Sequence, residues 1–215
     1  MPVKRRIVFI PFTKNAAGDW DETAGGGGVT WDGTKYGYVW VDDLTPTKAP
    51  FAFTDDTSDT QIYVAGHGGD GYLHVENAHN ATRQTDAQML VGFLIAGGLQ
   101  KKFAGSIKFY NCQSAMNHGT IDTSFACKCA AELTKKGYTK ARFFGYNSSV
   151  TTGYEDYRNP KTLNAEGRHR LAISHVDIGH GKTVTMTHGR ASEFRKEIII
   201  KKKGFFSDDY VAVVK

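Results

Sequence analysis

The sequence predicts an α/β protein with a mostly parallel central sheet in a three-layer sandwich. Residues 61–65 and 106–111 are short apolar runs typical of buried strands, and residues 82–99 between them carry apolar side chains at helical spacing. Because parallel strands require a long crossover connection, this order predicts two parallel strands joined by a helix. A second helix and a strand over 139–146 repeat the pattern, so we expect helices on both faces of the sheet.

The two helices have recognisable ends. Residues 85–86 (TD) can cap the first helix, and residues 97–98 (GG) end it. The second helix is predicted to begin at Asp122 or Thr123 and to end at Gly137, which follows two lysines. These signals place one helix between each pair of neighbouring strands.

The rest of the chain predicts further strands separated by polar loops. A single domain over residues 1–215 is expected, with a more antiparallel, β-rich extension over about 168–215. Long polar loops are expected at 13–33 and 147–167. Further strands are predicted at 5–12, 35–41 (read as half of a hairpin), 170–176, 182–187 and 197–202.

Composition indicates a basic globular protein of 215 residues, with a net charge of +5 and a pI near 9.0. The basic residues form short clusters, which are either solvated ends of elements or a site for a polyanion. No nucleic-acid-binding motif is present, so we expect no nucleic-acid partner. The clusters lie at 4–6, 101–102, 135–136 and 201–203.

Cysteine usage and hydropathy bear on the compartment. Three cysteines are an odd number, and Cys127 and Cys129 lie two positions apart, so the sequence predicts no disulfide framework and a reducing compartment. The apolar run after the basic amino terminus is too short for a signal peptide, and no run is long enough to cross a membrane. We expect a cytoplasmic protein, or one secreted without a cleaved signal, that does not bind membranes.

A histidine and a cysteine end the two central strands. His67 lies among glycines directly after the first strand, and Cys112 follows the second. Ligands of open parallel sheets bind beyond the carboxyl ends of the strands, where both side chains would project. A thiol beside an imidazole can perform nucleophilic acyl transfer, and the backbone N–H groups of Gly68 and Cys112 can form an oxyanion hole. The predicted helix start after Cys112 favours a lowered thiol pKa.

Residues 64–69 (VAGHGG) and 109–115 (FYNCQSA) resemble the histidine and cysteine motifs of caspase-fold cysteine peptidases. This group includes caspases, legumain, gingipain, clostripain, separase and the self-cleaving domains of bacterial toxins, and the resemblance covers about residues 5–146. It implies that Cys112 is the nucleophile and that His67 is the general base and then the acid. It also implies that Gly68 and Cys112 donate the oxyanion hydrogen bonds. We therefore expect a peptidase of bacterial type that acts on proteins or peptides and has an effector or toxin role.

The resemblance also implies where substrate side chains bind. The pocket would draw on the loop after the first strand, with Asp19, Asp21 and Glu22, and on the segment with Ser148 and Ser149. The acidic residues favour lysine or arginine before the cleaved bond, unless they are only exposed loop charges.

A third catalytic group is variable in this class of enzymes. Asp55, Asp56 and Asp59 precede the histidine strand and could orient the His67 ring. Nothing in the sequence selects among the three.

Three alternatives remain open. The same dyad could transfer acyl groups without proteolysis, or the fold could be a catalytically silent binding module. A metal hydrolase would have to use His67, Asp70, His74 and His79, whose spacing differs from that of known helical metal motifs. We therefore predict no metal.

Two further expectations concern phosphate chemistry. A phosphatase is disfavoured, because no arginine follows Cys112 closely. We predict no obligatory cofactor, while the basic clusters and the toxin domains suggest activation by an inositol polyphosphate.

Overall fold

The computed structural model describes residues 5–16, 18, 36–78, 83–116, 124–151, 155–158, 165–177, 182–202 and 210–215. Two α-helices lie in this part of the chain, α1 (Ala87–Ala96) and α2 (Phe125–Lys135). The strands are β1 (Arg5–Ile10), β2 (Gly37–Trp40), β3 (Thr60–Ala65), β4 (His74–Glu76), β5 (Gln84–Asp86), β6 (Ser106–Tyr110), β7 (Arg142–Tyr146), β8 (Ser149–Val150), β9 (Glu155–Arg158), β10 (Ala165–His169), β11 (Leu171–Asp177), β12 (Thr183–Arg190), β13 (Arg195–Lys202) and β14 (Tyr210–Val214).

The central sheet has seven strands in the order β14-β13-β7-β6-β3-β1-β2. The five strands from β7 to β2 are parallel, and β13 and β14 add antiparallel pairings at the other edge. The predicted α/β class with a mostly parallel sheet is therefore confirmed. β2 pairs in parallel with β1 and lies at the edge of the sheet, so the hairpin prediction for this segment is wrong.

The ends of the helices follow the predicted chemistry, with one difference. The side chain of Asp86 caps α1 by accepting a hydrogen bond of 2.8 Å from the backbone N–H of Met89. The side chain of Ser124, rather than residue 122 or 123, caps α2, and residues 122 and 123 lie outside the described residues. Gly137 follows α2 with a φ of 96°, which favours glycine.

Both described helices pack on the same face of the sheet. Phe109 on β6 meets Phe125 on α2 with 5.8 Å between ring centroids, and α2 contacts α1. The expectation of a helix on each face is wrong for the described part of the chain. The crossovers β3–α1–β6 and β6–α2–β7 step across the sheet in the same direction, and right-handed crossovers with the same step place their helices on one side.

The opposite face carries tyrosines and cations and is covered by irregular and β segments. The hydroxyl of Tyr110 on β6 donates a 2.7 Å hydrogen bond to the carbonyl of Thr151, which follows β8. The Arg170 guanidinium lies 5.0 Å from the centroid of the Tyr110 ring. These contacts form a third layer, which is compatible with a three-layer sandwich.

The carboxyl-terminal third of the chain differs from its prediction in two ways. The segment 147–167, expected as a loop, contains β8, β9 and the start of β10. β11 and β12 form a three-stranded antiparallel sheet with β8, whereas β13 and β14 join the central sheet. β8 pairs with β11, whereas β9 and β10 pair with each other, and the local composition of all three segments is polar.

Neither described helix combines the length and the apolar character that crossing a bilayer requires.

Candidate functional site

The histidine and the cysteine lie at the same end of two neighbouring parallel strands. β3 and β6 pair in register, with Ala65 opposite Tyr110. Two residues beyond this pair, the chain reaches His67 on one side and Cys112 on the other. The predicted location of both residues at the carboxyl edge of the sheet is confirmed, while their chemical roles remain predictions.

The backbone of Gly68 is packed against the cysteine turn. A β-carbon built on Gly68 would lie 2.7 Å from the carbonyl oxygen of Cys112 and 2.6 Å from Nδ2 of Asn111. Real side chains do not approach that closely, so only glycine fits without a shift of the backbone. This contact brings the two peptide groups predicted to form the oxyanion hole into one small region.

The His67 backbone is held by an antiparallel bridge to Glu76. The N–H of His67 donates to the Glu76 carbonyl at 2.8 Å, and the N–H of Glu76 donates to the His67 carbonyl at 3.0 Å. The Glu76 carboxylate in turn lies 2.9 Å from Nε2 of His74 and accepts a 3.0 Å bond from the Gln84 amide. The β4–β5 hairpin therefore fixes the position of the His67 backbone. The sequence did not indicate this hairpin.

The Cys112 thiol is half-buried and faces the β8 segment. Its Sγ lies 3.8 Å from the carbonyl oxygen of Val150, and the Ser149 side chain also forms a hydrogen bond with the Cys112 sulfur. Burial raises the pKa of the thiol, and its hydrogen bonds with Val150 and Ser149 offset only part of that rise. The expected lowering of this pKa is therefore wrong. Residues 112–115 form a turn, and the first helix after Cys112 among the described residues, α2, begins only at Phe125.

The turn after Cys112 is tied to the end of β7 and to the segment that follows it. The N–H of Gln113 donates to the Ser148 carbonyl at 3.0 Å, and the N–H of Ala115 donates to the Tyr146 carbonyl at 2.9 Å. Gln113 adopts a φ of 56°, which is uncommon for a residue other than glycine. The Ser149 side chain bonds to the thiol, whereas the Ser148 hydroxyl donates to the Ile173 carbonyl at 3.4 Å. Their predicted contact with substrate stays a prediction, and Asp19, Asp21 and Glu22 lie outside the described residues.

The three aspartates proposed to orient the His67 ring lie at the wrong end of β3. Asp55 pairs with Arg5 at 3.3 Å, and Asp56 accepts hydrogen bonds from Ser58. All three precede Thr60, and a strand rises about 3.3 Å per residue, so His67 is roughly 20 Å further along the chain.

A metal site receives no support from the described side chains. His74 pairs with Glu76, Asp70 is exposed, and His79 lies outside the described residues. Within the described part of the chain, no three histidine, cysteine or acidic side chains form a group that could hold an ion.

Asn111 is a site residue that sequence analysis did not single out. It is 2% exposed, and its Oδ1 has no hydrogen-bond partner among the described residues. Its Nδ2 would lie 2.6 Å from a β-carbon built on Gly68. A buried carboxamide between Gly68 and Cys112 can set the distance between their peptide groups. The only feature of the sequence that could have indicated Asn111 is that it is a polar residue at the end of an apolar strand.

Comparison of the chain with protein-family models, with curated proteins and with solved structures gave no match.

Proposed function

We propose that this chain is a cysteine peptidase in which the Cys112 thiol attacks the carbonyl carbon of a peptide. The observation that carries the proposal is the register of β3 and β6, which brings His67 and Cys112 to one end of two adjacent parallel strands. Ligands of open α/β sheets bind at this end. The resemblance of both motifs to caspase-fold peptidases agrees with this assignment.

The proposed reaction uses two side chains and two peptide N–H groups. His67 accepts the thiol proton while the sulfur–carbon bond forms, and it then donates that proton to the leaving amine. The N–H groups of Gly68 and Cys112 would donate hydrogen bonds to the tetrahedral oxyanion. Water then hydrolyses the thioester, which releases the acid and restores the thiol.

The raised thiol pKa determines the order of proton transfer. Burial keeps the Cys112 thiol protonated before the substrate binds. His67 must therefore accept the proton as the thiol attacks, rather than hold a preformed thiolate. The rate of Cys112 alkylation should consequently continue to rise with pH beyond the ordinary thiol pKa.

Ser148 and Ser149 are proposed to contact the substrate next to the cleaved bond. Ser149 bonds to the thiol, and the Ser148 carbonyl holds the turn after Cys112. A preference for lysine or arginine would depend on Asp19, Asp21 and Glu22 and stays a prediction.

One observation favours a second candidate function on the same fold. A half-buried thiol with a raised pKa is also what a catalytically silent binding module would retain. The two candidates differ in whether Cys112 reacts faster than an ordinary buried thiol and in whether that reactivity needs His67.

The test is intact-mass analysis after treatment with peptide acyloxymethyl ketones that carry lysine, arginine, aspartate, asparagine or leucine next to the reactive group. We expect a single label on Cys112, and the preferred peptide identifies the pocket. Cys112→Ala should abolish labelling and peptide turnover. His67→Ala should reduce the labelling rate by about 100-fold or more, because general-base assistance contributes roughly 10²–10⁴-fold.

Cys127→Ala is the matched control, since this thiol is fully buried in α2 and should not react. Thermal unfolding and circular dichroism check that the variants retain the fold. Labelling that persists in Cys112→Ala, or that proceeds at the normal rate in a folded His67→Ala protein, would contradict the peptidase proposal.

A further inference from the structure

The sheet face opposite the helices contains a cavity of about 180 Å³ lined by arginine and tyrosine side chains. We call it the arginine–tyrosine cavity. Three guanidinium groups reach it from separate segments: Arg170 precedes β11, Arg190 ends β12 and Arg195 begins β13. Among the described residues that line the cavity there is no aspartate or glutamate. The Glu193 carboxylate accepts a 3.3 Å hydrogen bond from the Arg190 backbone N–H nearby, and the three guanidinium groups outnumber it, so positive charge predominates at this position.

Four tyrosines form a continuous aromatic wall. Tyr36 and Tyr63 lie 5.8 Å apart, Tyr63 and Tyr110 lie 6.4 Å apart, and Tyr110 and Tyr146 lie 5.0 Å apart, measured between ring centroids. Burial raises the pKa of Tyr63 and Tyr146 to about 12. These phenols are therefore neutral at physiological pH and add no negative charge to the cavity.

Two more basic side chains lie behind this wall. The Arg6 guanidinium is 5.6 Å from the Tyr36 ring centroid, and the Lys108 ammonium is 4.6 Å from the Tyr63 ring centroid. Burial, together with the charges of Arg195, Arg6 and Arg142, lowers the pKa of Lys108 to about 7. The lysine thus senses a positive potential, which would also attract an anion.

The size of the cavity selects a small anion. Sites for drug-sized ligands measure about 300–1,000 Å³, whereas this cavity has the volume of about six water molecules. One phosphate group with a short carbon group fits such a volume. Arginine favours phosphate, because its planar guanidinium can donate two parallel hydrogen bonds to two oxygens.

We propose that the arginine–tyrosine cavity binds the phosphate group of a small monoester. The guanidinium groups donate hydrogen bonds to the phosphate oxygens, and the tyrosine rings cover the carbon part of the ester. This binding site is separate from the proposed cysteine chemistry and stands whether or not Cys112 is a nucleophile.

The test is isothermal titration calorimetry of the full chain with inorganic phosphate, phenyl phosphate and inositol hexakisphosphate as separate probes. We expect saturable binding of inorganic phosphate and tighter binding of phenyl phosphate, because its ring can contact the tyrosines. Arg195→Gln and Arg190→Gln should each weaken phenyl phosphate binding by about 10- to 100-fold, since each removes charge-assisted hydrogen bonds. The Cys112→Ala chain should bind as the unaltered chain does.

Arg142→Gln is the matched control. This arginine lies on the same sheet face, pairs with Glu197 at 3.1 Å and does not line the cavity. The substitution removes one positive charge from the region. It should change the affinity for phenyl phosphate by no more than about threefold, because exposed charges act weakly over distance.

Three outcomes would overturn the proposal. The first is the absence of saturable binding of either small phosphate at millimolar concentration. The second is an equal loss of affinity in Arg142→Gln and Arg195→Gln, which would indicate only a diffuse positive field. The third is binding of inositol hexakisphosphate alone, which would require a larger polyanion site than this cavity.

Discussion

The two faces of the central sheet differ in the side chains they carry and in what covers them. On the helix face, Phe109 is fully buried against Phe125 of α2. On the opposite face, the neighbouring residues Lys108 and Tyr110 are almost as buried, but the side chains of both donate hydrogen bonds. Positions adjacent in one strand therefore belong to two different environments, because successive side chains point to opposite faces.

This difference suggests a division of roles. The helix face buries apolar surface and supplies stability. The opposite face holds tyrosines, arginines and a lysine, and one of its tyrosines bonds to the segment beside the thiol. The following predictions test that division, beginning with the largest expected effect.

Phe109→Ala should lower the free energy of unfolding by about 3–5 kcal/mol, because it creates a cavity in the helix-covered core. Urea denaturation measures the change. Phe93→Ala is the control: this phenylalanine on α1 is only partly buried, and its loss should be less than half as large. Equal losses in the two variants would mean that the helix face is not the main source of stability.

Lys108→Met should remove a pH dependence of stability that originates on the opposite face. A lysine with a pKa of about 7 in the folded chain binds more protons when unfolded, so stability rises with pH above 7. Between pH 7 and about 8.5, before the thiols titrate, this residue should contribute an increase of about 1–2 kcal/mol.

Urea denaturation at several pH values tests this slope. Lys108→Met should flatten the curve in that window, whereas Lys101→Met, at an exposed position, should leave it unchanged. An unaltered slope in Lys108→Met would show that the lysine is charged in the folded protein.

Tyr110→Phe should have the smallest effect on stability, about 1 kcal/mol, because it removes the hydrogen bond that the hydroxyl donates to Thr151 and the one that it makes with Arg170. It should also change the rate of Cys112 alkylation, since Thr151 follows Val150, whose carbonyl lies 3.8 Å from Sγ. Tyr72→Phe at an exposed position is the control. If neither quantity moves in Tyr110→Phe, the opposite face is not coupled to the thiol.

Local patterns predicted the elements that depend on short-range interactions. Apolar runs indicated β3 and β6, and the cap chemistry of Asp86 and Gly137 located helix ends to within a residue or two. The strands in 147–167 were missed, because their polar sequences lack the apolar runs that marked β3 and β6; β9 and β10 pair with each other, and β8 pairs with β11.

The candidate site divides in the same way. The location of His67 and Cys112 followed from strand ends, which the sequence marks clearly. Three other features of the site depend on packing between segments, and no local pattern indicates them. They are the backbone hydrogen bonds between Glu76 and His67, the burial of Asn111 and the raised pKa of the Cys112 thiol.

By itself, the sequence determined the α/β class, the order of the central strands and helices, and the histidine and cysteine that end neighbouring strands. These features follow from side-chain alternation, capping and crossover length, which act within about 50 residues. Only the tertiary structure decided that both helices share one face and that Arg170, Arg190 and Arg195 meet the tyrosines on the other. That outcome depends on which strands pair and in what order, and long-range pairing leaves no signature in a short stretch of chain.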